Sequence, residues 1–156
     1  MTVANERPFP PGKGPGVRLH TRMLGLDVGE RRIGVAVSDG SLAVPLTIVE
    51  HRTRAAGIER VAAIAREQQA ALVVVGLPLL ESGAEGEQAR RTRRFGDAVA
   101  RRIDAPVVYH DERYTTVRAA AAVGAPAARR HPRVRIDDHA AAMILQSYID
   151  AGGGPT

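Results

Sequence analysis

The 156 residues suit one domain, by the usual prior of about 100–200 residues each. A chain 44% hydrophobic and 25% charged, with no cysteine, is globular and excludes disulfide frameworks, thiolate zinc sites and cysteine nucleophiles. Lys plus Arg number 22 against 17 Asp plus Glu, a net +5 in which Lys13 is the only lysine, and that balance favours an anionic partner.

Residues 1–21 are broken by Pro8, Pro10, Pro11, Gly12, Gly14, Pro15 and Gly16, which predicts a disordered extension rather than a folded unit. They hold no apolar core of the kind a secretory signal needs, and no later run approaches the roughly 18–20 apolar residues of a membrane span. A cytoplasmic protein that does not engage membrane is the expectation. Residues 22–150 then read as one domain and residues 151–156 as a flexible tail.

Within the domain, Met23–Val28 alternates, with Leu24, Leu26 and Val28 on one face and Met23, Gly25 and Asp27 on the other. A turn at Gly29-Glu30-Arg31 leads to a second alternating strand, Arg32–Ser38, and Asp39-Gly40 signals a hairpin. Val44–His51 is a third strand, which Pro45 assigns to an edge. The period then becomes helical over Arg54–Gln69, where Ile58, Val61, Ala62 and Ala65 form a stripe. Leu72–Gly76 is a continuous apolar run of the kind buried in a parallel sheet. A helix from about Glu85 to Arg102 packs through Phe95 and Val99, Val107–His110 is a short strand, and Thr115–Val123 a short helix. A basic loop over Gly124–Arg135 precedes a closing helix, Asp137–Asp150.

A three-strand antiparallel meander followed by two crossovers gives an α/β fold: a mixed five-stranded sheet with helices on both faces. The first strand is expected at the centre, with the fourth and fifth beside it and a crevice at their carboxyl ends. Three acidic positions converge on that mouth: Asp27 in the first strand, Asp111-Glu112 at the exit of the last, and Asp137-Asp138 opening the final helix. Each has an ordinary explanation as a turn residue, an ion-pair partner or an N-cap. Together they suit metal-assisted phosphodiester hydrolysis. Two carboxylates about 4 Å apart repel by roughly 4 kcal/mol at an effective dielectric of 20, so one takes up a proton unless a cation intervenes. An all-oxygen site selects Mg2+ or Mn2+, and two such ions would activate water and stabilise the leaving oxygen.

Four ordered motifs carry a resemblance. They are Leu24-Gly25-Leu26-Asp27-Val28-Gly29 with Arg32-Ile33-Gly34-Val35-Ala36-Val37-Ser38-Asp39; Val75-Gly76-Leu77-Pro78-Leu79 with Gly83; Asp111-Glu112-Arg113-Tyr114-Thr115-Thr116; and Asp137-Asp138-His139-Ala140-Ala141-Ala142 with Ile144-Leu145-Gln146-Ser147-Tyr148. Over residues 22–150 the chain resembles the RuvX/YqgF family, ribonuclease H-like nucleases described as Holliday junction resolvases and as pre-16S ribosomal RNA nucleases. The resemblance implies a ribonuclease H-like fold and a catalytic, metal-holding triad of Asp27, Glu112 and Asp137, with Asp111 and Asp138 as auxiliary ligands. It places Arg113, Thr115 and Thr116 where phosphate approaches. Arg133 and Arg135 stand where the family usually carries lysine, and the extension over residues 1–21 is outside the family pattern.

Nucleic acid, as branched DNA or precursor ribosomal RNA, is the implied partner, with Arg32, Arg113, Thr115, Arg133 and Arg135 as its contacts. A two-fold symmetric junction would require a homodimer, whereas trimming an RNA end would not. Two alternatives stand beside the nuclease: a nucleic-acid-binding protein whose acids are structural, and an actin-like or sugar-kinase-type phosphate-binding domain suggested by Asp27-Val28-Gly29. Arg90, Arg91, Arg93 and Arg94 read as a solvated helix face or, with Arg129, Arg130, Arg133 and Arg135, as a phosphate track.

Overall fold

The computed structural model describes residues 21–113 and 136–154, and of residues 136–138 the backbone alone. The extension over residues 1–20, the helix expected over Thr115–Val123 and the basic loop up to Arg135 lie outside the described residues. The strands are β1 (Met23–Val28), β2 (Arg32–Ser38), β3 (Ala43–Glu50), β4 (Leu72–Leu77) and β5 (Val107–Asp111). The helices are α1 (Arg54–Glu67), α2 (Glu87–Ala100) and α3 (Ile136–Asp150). No helix among the described residues is long and apolar enough to cross a membrane.

The five strands form one sheet in the order β3-β2-β1-β4-β5. β1 pairs antiparallel with β2 and parallel with β4, and β4 pairs parallel with β5. The sheet is mixed and β1 is central, as expected, but β5 lies one strand further out, with β4 between it and β1. Pro45 stands on the edge strand β3, where its missing N–H costs no ladder bond, beside a register shift opposite Val35 and Ala36.

Alternation of the strands makes two cores. Leu24, Leu26, Ile33, Val35, Val73 and Val75 pack against Ile58, Val61, Ile64 and Ala65 of α1 and Phe95 and Val99 of α2. On the other face Met23, Ala36, Leu72 and Val74 pack against Ala141, Ala142, Ile144 and Leu145 of α3. α1 starts where Thr53 accepts the Ala56 N–H at 3.1 Å, an N-cap worth about 1 kcal/mol. α3 ends on Gly152 in the left-handed region, φ +87°, with the Gly153 N–H donating to the Tyr148 carbonyl at 2.9 Å. The first residues of the expected tail are therefore the cap of the last helix.

A β-carbon at Gly25 would lie 2.7 Å from Leu145 Cβ and 2.8 Å from the Ala141 carbonyl oxygen. The room that Gly25 leaves on the Asp27 face is filled by α3, which rides directly on the central strand. The space near the acids lies one strand over, at Gly76.

Candidate active site

Residues of like parity on β1, β4 and β5 face α3. Met23 and Gly25 continue to Asp27, Val74 continues to Gly76, and Val108 and His110 continue to Glu112, just past the end of β5. The register pairs Leu26 with Val75 and Gly76 with His110, so one further step along β1 brings Asp27 level with Gly76. Asp27 and Glu112 thus belong to strands separated by β4. Adjacent strands lie about 4.8 Å apart, so two carboxylates on such strands meet only if nothing rises between them.

Gly76 is the residue between them. A β-carbon there would overlap Glu112 Oε1 and stand 2.5 Å from Ile144 Cδ1. The Glu112 side chain folds back across the bare backbone of β4 toward Asp27. Its carboxyl is pushed up from its ordinary 4.5 to about 7, first by burial, then by the charge of Asp27, then by that of Asp111. Sequence reasoning passed over Gly76 as a site residue, although a glycine closing an otherwise Leu-Val strand is the mark of a close approach.

Asp111 has the opposite parity and a different role. Arg113 grips it through Nε at 2.9 Å and Nη2 at 2.7 Å to Oδ2, and the Arg113 backbone N–H donates to Oδ1 at 2.9 Å. This clamp holds the Asp111 carboxyl below its usual range. The same guanidinium donates to the Glu81 carbonyl at 3.1 Å, tying the β4–α2 loop to the end of β5. Strand alternation turns Asp111 and Glu112 to opposite faces, and the ion pair that Arg113 makes at 2.7 Å is with Asp111. The oxygens of Asp111 are thereby engaged.

Asp137 is the second residue of α3, and its side chain, like that of Asp138, lies outside the described residues. One turn later Ala141 lies against Gly25, two residues before Asp27 on the same face. Thr115, Arg133 and Arg135 also lie outside the described residues. Arg32 opens β2 on the surface, its Nε 3.7 Å from Glu50. Among the described residues Glu112 feels the charge of Asp27, and no group of three acidic or imidazole side chains gathers that could hold a metal ion. His110 is occupied elsewhere, its Nε2 2.9 Å from Ser147 Oγ and its ring edge-on to Tyr148.

The arginines of α2 are largely satisfied by the protein itself. Arg91 pairs with Glu30 at 3.0 Å, and Arg93 pairs with Glu85 at 2.7 Å while lying over the Tyr109 ring. Arg90 donates to the Glu85 carbonyl at 3.0 Å. Of the four, Arg94 has no such partner among the described residues, which favours a solvated face over a phosphate track along this helix.

A model of the RuvX family, described as Holliday junction resolvase, matches residues 21–151. A relative from Anaeromyxobacter sp. (strain Fw109-5) named "Putative pre-16S rRNA nuclease" is 44% identical over 132 residues, covering 83% of this chain and 96% of its own length. One of the same name from Roseiflexus sp. (strain RS-1) is 41% identical over 133 residues, covering 83% and 94%. Among solved structures, T. thermophilus RuvC in complex with Holliday junction substrate superposes with a TM-score of 0.53 at 19% identity, covering 85% of this chain and 97% of that one. The fowlpox virus Holliday junction resolvase gives 0.53 at 13% identity, covering 83% and 99%. At those identities the structural likeness establishes the fold, a resolvase-like α/β sheet.

Proposed function

The chain belongs to the RuvX family, and from that membership we propose that it is a nuclease that hydrolyses phosphodiester bonds in nucleic acid with Mg2+ or Mn2+ held by Asp27, Glu112 and Asp137. The observation that carries the metal is the Glu112 side chain laid across Gly76 toward Asp27, with its carboxyl raised accordingly. Burial and the charge of Asp27 together penalise its ionised form, so the apo site favours a proton on Glu112 near neutral pH. An oxygen-only donor set of two carboxylates, one of them laid across the bare backbone of Gly76, fits a hard divalent cation. When bound, that ion supplies the positive charge that keeps both carboxylates ionised and offsets negative charge developing on the phosphate.

The protein's own contribution is placement. Asp27 projects from the central strand, paired with Gly34 of β2 and one residue past the last β1–β4 pair, Leu26 with Val75, so its backbone is held by the sheet itself. Glu112 reaches the same point from the end of β5 because its side chain is long enough to cross β4. The Arg113–Asp111 clamp holds the residues on either side of Glu112 in place and keeps Asp111 turned away. Asp137 would be the third acid, from the first turn of α3; what supports this is the seating of Ala141, one turn on, against β1.

The substrate reading is either the resolution of a four-way junction or 5′-end processing of pre-16S rRNA, as the family description and the relatives' names suggest in turn. Cleavage of a four-way junction, plain duplex DNA and precursor rRNA, side by side at matched salt, separates the two. The first reading also requires a two-fold homodimer, checked by sedimentation. The metal assignment is tested by titrating Mn2+ against melting temperature: wild type rises, and Asp27→Asn/Glu112→Gln does not. An identical rise in both, or undiminished metal-dependent cleavage by Asp27→Asn, would leave a nucleic-acid binder whose acids are structural.

A further inference from the structure

On the α1/α2 face of the sheet, at the same carboxyl edge of β1 as the acids, lies an open cavity of about 660 Å³. Its wall begins with Val28 and Gly29, the two residues that follow Asp27, so it opens within about 7 Å of extended chain from the proposed site. That volume falls within the roughly 300–1,000 Å³ typical of ligand clefts. Val28 and Phe95 give it an apolar floor, while Arg52, Arg54 and Arg91 stand around it with Glu30 and Glu87.

The charges on this rim are not equivalent. Both glutamates turn to Arg91, at 3.0 Å for Glu30 and 3.4 Å for Glu87, a group that carries one net negative charge and faces inward on its own pairs. Arg52 and Arg54 are exposed and make no ion pair or side-chain hydrogen bond among the described residues. They follow the β3 strand end, where the His51 N–H donates to the Arg31 carbonyl at 3.0 Å and fixes this connection against the β1–β2 turn. Two guanidiniums with no carboxylate partner among the described residues are thus held on a braced segment over an apolar-floored cleft. The rim of that cleft is net positive by one charge, and it lies at the same sheet edge as an acidic pair suited to phosphodiester chemistry. Guanidinium forks match phosphate oxygens, and an apolar floor accepts a sugar or base.

We infer that this cavity is a second subsite, in which Arg52 and Arg54 hold the backbone phosphate of a nucleotide next to the scissile linkage. A strand laid over the carboxyl edge of β1, with its reacting phosphate at Asp27 and Glu112, passes into the cleft as it leaves. The subsite rests on the nuclease reading above and adds the direction in which the strand runs.

Binding measured with chelator present, so that nothing is cut, tests it apart from catalysis. The probes are a 12-nucleotide single-stranded RNA and a four-way DNA junction, each titrated over a range of salt. Arg52→Gln/Arg54→Gln is expected to lose about tenfold in affinity near 0.1 M salt. Its log-affinity against log-salt slope should be shallower by about 1.4 on single strand or about 1.8 on duplex arms, two phosphate contacts at roughly 0.7 or 0.9 each. Arg101→Gln, at the far end of α2, is expected to match wild type. A loss confined to the RNA or to the junction names the source of the phosphate and supports the subsite in either case. If wild type binds and the double variant keeps its affinity and slope on both probes, the subsite is overturned while the nuclease reading stands. If wild type binds neither probe, both are overturned.

Discussion

Glu112→Gln preserves the shape of the side chain that crosses Gly76 and removes only its charge. The carboxyl titrates near 7 in the folded protein against an ordinary 4.5, so the folded state holds the proton more tightly than the unfolded chain. The stability linked to that proton is fully present below about pH 4.5 and is lost as pH rises through 7. At 1.36 kcal/mol per unit the difference is about 3 kcal/mol, and solvent screening of this partly exposed group reduces it to about 1–2 kcal/mol. In chelator at pH 8 the Gln variant should therefore melt higher than wild type, by roughly 3–8 °C for a domain of this size. The gap should close as pH falls toward 4.5. Saturating Mn2+ should reverse the order, since a ligand at 100 times its Kd adds about 2.7 kcal/mol to wild type alone. Calorimetric melts across pH 4.5–8.5, with chelator and with Mn2+, read all three outcomes. A wild type more stable than the variant at pH 8 in chelator, or a difference indifferent to pH, would refute the claim that the two acids repel across Gly76.

Three further outcomes follow from the same geometry. Gly76→Ala forces Glu112 and Ile144 aside; cleavage should fall at least a hundredfold while melting loses only about 1–3 kcal/mol, and wild-type cleavage would remove the cradle. Asp111→Asn weakens the Arg113 clamp, so its melting temperature should fall below wild type at pH 7. Because the folded Asp111 carboxyl is depressed, that deficit should close as pH drops through about 3.8 and below, which melts in acid would show. Tyr109→Phe removes a hydroxyl 2.5 Å from Asp97 Oδ1 and 2.9 Å from the Arg93 carbonyl. It should cost about 1 kcal/mol in melting and leave cleavage unchanged, because this contact fastens α2 to the face of β5 turned away from the acids.

Much of this arrangement is legible along the chain because alternation is local. Leu24 and Leu26 against Gly25 and Asp27 assign the two faces of β1 before any partner is known, and Thr53 with the Ile58–Val61–Ala65 stripe marks α1. The same arithmetic, run along Val108, His110 and Glu112, separates Glu112 from Asp111 by face. It would have foretold that Arg113 takes the neighbour and leaves Glu112 to the site. Strand order is a different kind of information. Nothing near Asp27 or Glu112 says that β4 lies between them, because parallel pairing is decided by crossovers through α1 and α2 and by which apolar runs can be buried on both faces. Once β4 is placed there, the glycine at its end changes meaning, from an interruption in a Val-rich strand to the only side chain small enough for two acids to meet across it. The site is thus a property of three strands at once: a chemical pair supplied by β1 and β5, and an absence supplied by β4.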